Sequence, residues 1–445
     1  MRHPYRSLVT LVALVLWLAG AVSDAAAERR LVLSGDAGFG GMAGMAQSSL
    51  ALGVEVQEGG LSLGLFGRVR FVLDRDRDEG PLRRRDWDEV SDYVHLLREL
   101  RYQRSFGRTE LDVRVGEQAA LTLGHGTLVR EYSNLGDPDH LHSGIAVELV
   151  RPRFDVRAFL DNFIHPSLVG ARLGLRPFAR APRLGFGASF TIDPRAPVRV
   201  ETDARGVRQV DAAWNLETEH RTLTHAGVDV QVVLGNPDRG QVTPYADFNT
   251  SFYGVGMHLG GMGRLPLGRT GVTLTGQLEY HVGTGGYAAA YVQTFYDVDR
   301  HQASLNLPDP ARPDAAAHGP KLAALGRGLF GGHGALAQLG VEAPGRVTLR
   351  AGFEHQAGPD PNRLWVRFGA QPADRLNVAA LLLLRHLGPG AAPGGVAAAV
   401  EGRFRVTRFL YALGQYSRLW SLDAETRYYG IVQAFNLGLG GNWSI

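Results

Sequence analysis

The sequence has no cysteine, a single lysine and, after its first residues, no long hydrophobic run. Without cysteine there can be neither disulfide bonds nor a lipid-modified amino-terminal cysteine, so backbone pairing and packing alone must hold the mature chain together. Every basic residue other than Lys321 is an arginine. Because the formal net charge is only +3, the chain lacks the strongly basic character typical of nucleic-acid binding, and no nucleic-acid partner is expected.

The first residues have the pattern of a secretory signal. Arg2 and Arg6 form a basic start, an apolar run covers 8–22, and small residues end at Ala27. The run is short for a membrane helix, which needs about 20 apolar residues. We therefore predict a signal peptide over 1–27, cleaved before Glu28 and exported through the Sec pathway. The next most apolar stretch, 378–387, is interrupted by Arg385 and has the length of a strand.

In the rest of the chain, apolar and polar side chains alternate with the period of a β-strand. Leu111, Val113 and Val115 would share one face of a strand, opposite Glu110, Asp112 and Arg114. The same alternation recurs in 271–281 and 345–355. The mean hydropathy of −0.10 resembles that of a soluble protein, but only alternate residues of a membrane barrel meet lipid. Many such strands behind an export signal indicate an outer-membrane barrel.

We therefore predict an all-β fold for 28–445, a closed up-and-down antiparallel transmembrane barrel of about 18 strands, with 16 to 20 allowed. The candidate strands begin at 48–57 and include 119–129 and 286–297. Long polar segments are predicted at 74–91, 194–222 and 298–332. They are placed outside the cell, unless one of them folds into the pore.

Strand parity assigns a set of arginines to the side of the barrel that faces water. The predicted lumen-facing and cargo-facing residues are Arg68, Arg70, Arg114, Arg153, Arg157, Arg172, Arg176, Arg350, Arg367, Arg403 and Arg405. The first seven come from strands close in sequence and could form one basic stripe that favours anionic cargo. The alternative is an internal network of arginine and carboxylate pairs that braces or fills a closed barrel.

The segment 122–142 is the most distinctive stretch of the chain. His140 and His142 would share a strand face, and Asp137 and Asp139 could join them around a metal ion. Asp-Pro-Asp is first of all a turn former, however, so a loop is the preferred interpretation. His142 and Ser143 are adjacent and would face opposite ways in a strand, which counts against a hydrolytic His and Ser pair. The chain is predicted not to be an enzyme, with no catalytic, cofactor-binding or metal residue and no cofactor.

In its size, its arginine-rich strands and segments such as 121–132, the mature chain resembles the integral barrels of Gram-negative polysaccharide-export systems, within the broader porin type. The resemblance carries over no catalytic residue. It implies a polysaccharide cargo and a periplasmic polysaccharide-export partner. The chain departs from the usual aromatic last residue of such barrels, because it closes on Trp443, Ser444 and Ile445.

The leading hypothesis is an outer-membrane channel of a Gram-negative bacterium that lets a hydrophilic cargo pass, most concretely an exported polysaccharide, with an anionic one favoured by the arginines. The alternatives are a general diffusion porin for small solutes and a closed structural or surface-binding barrel. Outer-membrane lipid and the barrel-assembly machinery are the other expected partners.

Overall fold

The computed structural model describes residues 29–74, 81–178, 183–309, 312–358, 362–373, 375–385, 387 and 395–444. The predicted signal peptide, 1–27, lies outside these residues. None of the helices among them is long and apolar enough to cross a bilayer.

The described chain is almost entirely β-structure, with three short α-helices. The helices are Val90–Val94, Tyr296–Asp299 and Lys321–Gly326, and single 3-10 turns lie at Arg84–Asp86 and Gly268–Thr270. The strands are β1 (Arg29–Met42), β2 (Met45–Glu58), β3 (Leu61–Val72), β4 (Leu97–Phe106), β5 (Thr109–Gly116), β6 (Gly144–Val150), β7 (Phe154–Leu160), β8 (Val169–Leu175), β9 (Leu184–Val200), β10 (Thr218–Val232), β11 (Leu234–Asn236), β12 (Gly240–Ser251), β13 (Val255–Pro266), β14 (Thr273–Gly283), β15 (Ala303–Asp309), β16 (Arg312–Gly319), β17 (Gly332–Ala343), β18 (Val347–His355), β19 (Asn362–Ala373), β20 (Leu376–Arg385), β21 (Val396–Arg405), β22 (Leu410–Leu422) and β23 (Tyr429–Ser444).

All strands except the β15–β16 hairpin join one antiparallel sheet, which closes into a barrel where β1 pairs with β23. Of its 21 segments, β10 and β11 both pair with β12 and act as one wall strand, so the described barrel has 20 strands. The prediction of a closed antiparallel barrel is confirmed, and the count falls at the upper end of the predicted range.

The two faces of the sheet differ as a bilayer-embedded barrel requires. On β23, Phe435, Leu437 and Leu439 point outward and are 50 %, 66 % and 68 % exposed. The residues between them, such as Asn436, face the lumen and are partly covered. Exposure of such an apolar belt to water is unfavourable, whereas its contact with lipid is favourable. The outer face is therefore suited to the hydrocarbon region of a membrane.

The two ends of the barrel differ in the length of their connections. Turns such as Gly59–Gly60, 107–108 and 344–346 close one end, where β1 begins and β23 ends. The opposite end carries the long connections 73–96, 117–143, 201–217 and 284–331. In outer-membrane barrels the short turns are periplasmic and the long loops are external, so we assign the ends accordingly.

Two of the predicted strands, 119–129 and 286–297, are wrong. Both segments lie inside the barrel, where Leu128, Val129 and Val292 pack in a buried apolar cluster with Tyr132 and Tyr296. Gly124 and Gly126 have positive φ angles of 57° and 83°, which turn the chain back on itself. Apolar residues buried inside a lumen produce the same pattern as apolar residues that face lipid, and this similarity misled the prediction.

One strand, β1, was missed because no candidate was predicted before residue 48. Four glycines in Arg29–Met42 weaken its alternation. The seam with β23 requires glycine at position 40, because a Cβ there would collide with the carbonyl oxygen of Phe435. The missing side chains thus allow close packing at closure.

The predicted loops also need correction at their ends. Strand β9 continues to Val200 and β10 begins at Thr218, which shortens the loop 194–222 to 201–217. Pro194 and Pro197 suggested a loop, but they lie in a strand whose pairing with β10 shifts register at two nearby points, where a bulge tolerates proline. The third loop, 298–332, contains the β15–β16 hairpin and the helix Lys321–Gly326, whose Leu322 and Leu325 join the cluster inside the barrel.

Candidate functional site

The lumen is partly filled by three segments, 117–143, 284–302 and 320–331, which we call the inner segments. Arg130 ties them to the wall strands β14 and β18. Its guanidinium donates to Glu354 Oε1 at 2.7 Å and to Glu279 Oε1 at 3.2 Å. All three side chains are at most 6 % exposed. Charges this deeply buried must be paired, so these contacts fix the position of the inner segments.

A second set of contacts ties the inner segments to β10 and β12. The ring of His125 lies 2.9 Å from Asp247 through Nδ1 and 2.8 Å from Gln231 through Nε2. It stacks on Tyr245 with ring centroids 3.9 Å apart. Thr127 donates to the other oxygen of Asp247 at 2.8 Å. We call the wall from β8 to β18 the packed side, because hydrogen bonds and buried ion pairs join it to the inner segments.

On the other side of the lumen, β19–β23 and β1–β3 leave a cavity of about 530 Å³ between wall and inner segments, which we call the middle chamber. Small side chains such as Ala379, Ala399 and Ala434 line much of it. The charged residues that line it are Arg68, Arg70, Arg367 and Glu401. Arg70 pairs with Asp86 and Arg367 with Glu131, both at 3.3 Å, so the positive charge that no ion pair offsets in the described lining is that of Arg68. We call this wall, β19–β23 and β1–β3, the open side.

A second cavity of about 360 Å³ lies at the periplasmic end of the same strands, and we call it the periplasmic vestibule. Its arginines are Arg30, Arg375, Arg403, Arg405 and Arg408. Among the described residues that line it there is no carboxylate. On β21 the middle chamber reaches Glu401 and the vestibule begins at Arg403, and these two side chains are joined by an ion pair of 2.8 Å.

The predicted lumen arginines divide between these environments. Arg68, Arg70 and Arg367 line the middle chamber, and Arg403 and Arg405 line the vestibule. Of these five, Arg70, Arg367 and Arg403 are ion-paired with Asp86, Glu131 and Glu401. The others, apart from Arg153, also contact carboxylates: Arg114 pairs with Asp112, Arg157 with Glu148, Arg172 with Asp155 and Asp229, Arg176 with Asp155, and Arg350 with Glu131 and Glu342.

The first seven of these arginines do not form one basic stripe, because carboxylates on the same wall neutralise Arg114, Arg157, Arg172 and Arg176. Arg153 precedes β7 and lies exposed in the periplasmic turn, one residue outside the strand that was predicted to carry it. A register error of one residue moves a side chain to the wrong face or off the wall.

At the external end, the inner segment 117–143 is attached to the connection 73–96 and to the end of β22. Asp139 accepts hydrogen bonds from Arg83 and, at 2.6 Å, from Ser421. His140 Nδ1 lies 3.0 Å from Asp137. Burial alone would lower the pKa of His140, but the neighbouring carboxylates, Asp137 foremost, raise it to about 10. Three of the four residues considered above as metal ligands, all except His142, therefore pair with protein groups and hold this segment in place.

Sequence reasoning missed the group His258, Glu279 and His281. The connection 267–272 joins β13 to β14, and the two histidines stand at equal distances from it, which makes them cross-strand partners. Strand parity combined with this hairpin arithmetic could have placed them together on the lumen face.

No known family model matches the chain, and no curated protein does. Among solved structures, OccAB3 of Acinetobacter baumannii is 9 % identical, with a TM-score of 0.37 over 95 % of this chain and 100 % of that one. OpdL of Pseudomonas aeruginosa is 12 % identical, with a TM-score of 0.33 over 95 % and 99 %. OccK2 (OpdF) of the same organism, solved with glucuronate, is 12 % identical, with a TM-score of 0.35 over 94 % and 98 %. Similarity at this level does not establish a family, and the barrel architecture rests on the strand pairing itself.

Proposed function

We propose that the protein is an outer-membrane channel for small hydrophilic solutes and that it favours anionic ones. The observation that carries this proposal is the middle chamber, a space of about 530 Å³ lined largely by small side chains, next to a vestibule whose described lining holds five arginines and no carboxylate. Solutes of a few heavy atoms fit a space of this size. Weak contacts with several arginines attract an anion without trapping it.

The predicted lumen arginines Arg68, Arg70, Arg367, Arg403 and Arg405 are proposed to face the cargo. The six others of that set are proposed to brace the wall or its turns. The polysaccharide hypothesis finds no support in the structure, because the inner segments occupy much of the lumen that a hydrated polymer would need. The diffusion porin, stated above as an alternative, agrees better with the space that remains.

The proposal is tested by single-channel conductance of the purified protein in planar lipid bilayers. Ala399 lines the middle chamber, and its neighbour Ala398 points to the outer face of the same strand. We expect discrete conductance steps for the wild type, several-fold smaller steps for Ala399→Trp, and unchanged steps for Ala398→Trp. Absence of any opening in the wild type would exclude a channel and leave the closed barrel.

Cargo size is tested separately in liposomes that contain the protein. We expect monosaccharides and small carboxylic acids to enter and oligosaccharides to be excluded. In cells, deletion of the gene should slow uptake of small solutes and leave the amount of surface polysaccharide unchanged. Loss of surface polysaccharide in the deletion strain would instead support the export hypothesis.

A further inference from the structure

Two histidines and a glutamate converge on the lumen face of the packed side. His258 on β13 is the cross-strand partner of His281 on β14, and Glu279 lies two residues before His281 on the same face. Glu279 Oε1 is 2.9 Å from His258 Nδ1 and 3.6 Å from His281 Nδ1. One ligand atom from each residue lies within 4.8 Å of the others. The three side chains are between 0 and 5 % exposed.

The two ring nitrogens of His281 are available to bind a ligand. Neither of its ring nitrogens has a hydrogen-bond partner, although the side chain is only 5 % exposed. The ring is accommodated because position 334 is a glycine, where a Cβ would collide with His281 Nε2. Burying an imidazole without a partner is unfavourable, so a ligand that both histidines could share would explain the arrangement.

The contacts around the cluster direct one atom of each of two residues toward its centre. His258 Nε2 lies 2.6 Å from the hydroxyl of Tyr287, which leaves Nδ1 to face Glu279. Tyr245 donates to Glu279 Oε2 at 2.7 Å, which leaves Oε1 facing the histidines. Arg130 also donates to Oε1, from Nη2 at 3.2 Å, so this oxygen is the point at which the cluster meets the inner segment 117–143. Hydrogen bonds of this kind orient metal-binding histidines and carboxylates in other proteins.

A nearby group of one histidine and two aspartates provides a contrast to His281. His125, Asp229 and Asp247 also bring their ligand atoms within 4.8 Å of one another. Both ring nitrogens of His125, however, already have partners in Asp247 and Gln231. Asp229 is held by Arg172 at 2.8 Å. This second group is satisfied by protein contacts alone and needs no ligand.

We propose that His258, Glu279 and His281 bind a divalent transition-metal ion such as Zn²⁺. Ligands about 2.1 Å from a tetrahedral zinc lie about 3.4 Å from one another, close to the 2.9 Å and 3.6 Å seen here. The ion links β13 to β14 and, through Tyr287 and Arg130, secures two of the inner segments. Because the cluster is buried, the ion is a structural ion that stays bound and is not a transported solute. This proposal is independent of channel activity.

The test is metal content of the full-length barrel, purified from membranes without a histidine tag, stripped with chelator and reloaded with ZnCl₂ in detergent. We expect about one zinc per barrel for the wild type and loss of binding in His258→Gln and His281→Gln. The matched control is His333→Gln, an exposed histidine on the neighbouring strand β17, which should keep its zinc. His125→Gln should also keep it, since the second group binds no ion.

Folding of each variant is verified on cold SDS gels, where an unheated folded barrel migrates differently from the same protein after boiling. If the histidine variants do not fold, Tyr287→Phe replaces them, with zinc affinity expected to fall about 10- to 100-fold because the orienting contact to His258 is lost. Cobalt loading of the wild type gives an independent readout, since tetrahedral nitrogen and oxygen ligation produces characteristic visible bands. A wild type that holds no zinc or cobalt, or a His281→Gln protein that holds as much as the wild type, overturns the proposal and leaves Glu279 with Arg130, Tyr245 and His258 as its partners.

Discussion

The packed side and the open side of the lumen are built from the same residue types and differ in how their charges are paired. On the packed side Arg130 and Arg172 are buried, and each contacts two carboxylates. On the open side Arg70 and Arg367 are also paired, but the described lining of the vestibule carries five arginines and no carboxylate. Arginine therefore fixes structure where an acid faces it and creates a positive potential where none does. Only the pairing, and not the residue count, distinguishes these roles.

The largest expected effect comes from removing the charge that organises the packed side. Arg130→Met leaves Glu279 and Glu354 buried beside an apolar side chain, and we expect a loss of about 3–5 kcal/mol in the free energy of unfolding. The measurement is urea unfolding in lipid vesicles, in the presence of chelator, followed by the gel shift of the folded barrel.

The control is Arg403→Met on the open side. Arg403 is 45 % exposed and pairs with Glu401, which is 36 % exposed, so this variant should lose less than about 1 kcal/mol. Equal losses in the free energy of unfolding of the two variants would mean that buried ion pairs on the packed side contribute no more to stability than exposed pairs do.

Charge reversal on the open side should change the ion selectivity of the channel and leave its free energy of unfolding unchanged. Arg375→Glu combined with Arg405→Glu reverses two charges in the periplasmic vestibule. We expect the anion-to-cation permeability ratio to fall roughly tenfold at low salt, and less at 0.15 M, where the screening length is about 8 Å. Reversal potentials under a salt gradient give the ratio.

Arg153→Glu is the matched control for the vestibule, because Arg153 is exposed in another periplasmic turn. It should leave the ratio unchanged. A similar fall in both variants would assign the effect to the general charge of that end of the barrel.

The smallest effect is expected at the external loops, which close over both sides. The raised pKa of His140, about 10, means that its charged form stabilises the fold fully below about pH 6.5 and that this contribution is lost as the pH rises through 10. His140 Nε2 also lies 3.3 Å from the carbonyl oxygen of Ala213, next to Trp214. Trp214 fluorescence, taken as the difference between wild type and Trp214→Phe, should change with a midpoint near pH 10.

His140→Gln should abolish that step and leave the barrel intact. If the step persists in this variant, another group titrates there and the loop is not held by the pair of His140 and Asp137.

Alternation of side chains was sufficient to predict the closed barrel, because the lipid-facing half of each strand is under a simple constraint. On β13, Met257 and Leu259 face outward and His258 is buried between them, as that pattern requires. The same rule could not exclude 119–129, because Leu123 and Val129 are buried by other inner residues and not by lipid. Periodicity indicates which residues are shielded from water, but it does not distinguish shielding by lipid from shielding by other parts of the protein.

The candidate site was predicted less well for a related reason. Parity indicates which side chains enter the lumen, but the partner of an arginine depends on strand order and on where the inner segments lie. Arg172 and Asp229 are 57 residues apart and meet only because β8, β9 and β10 are neighbours. Arg130 directly follows the segment 119–129, which sequence patterns assigned to the wall. Such pairs require the tertiary arrangement.

The seam between β1 and β23 sets the order in which the molecule can be completed. Val32 pairs with Ser444, which lies 412 positions later in the chain. Contacts between such distant positions form slowly, because a long stretch of chain must be ordered before its ends can meet. Until then, the row of hydrogen-bonding groups along β1 is an open edge that invites pairing with other chains. Pairing of β23 with β1 is therefore the event that removes this exposed edge.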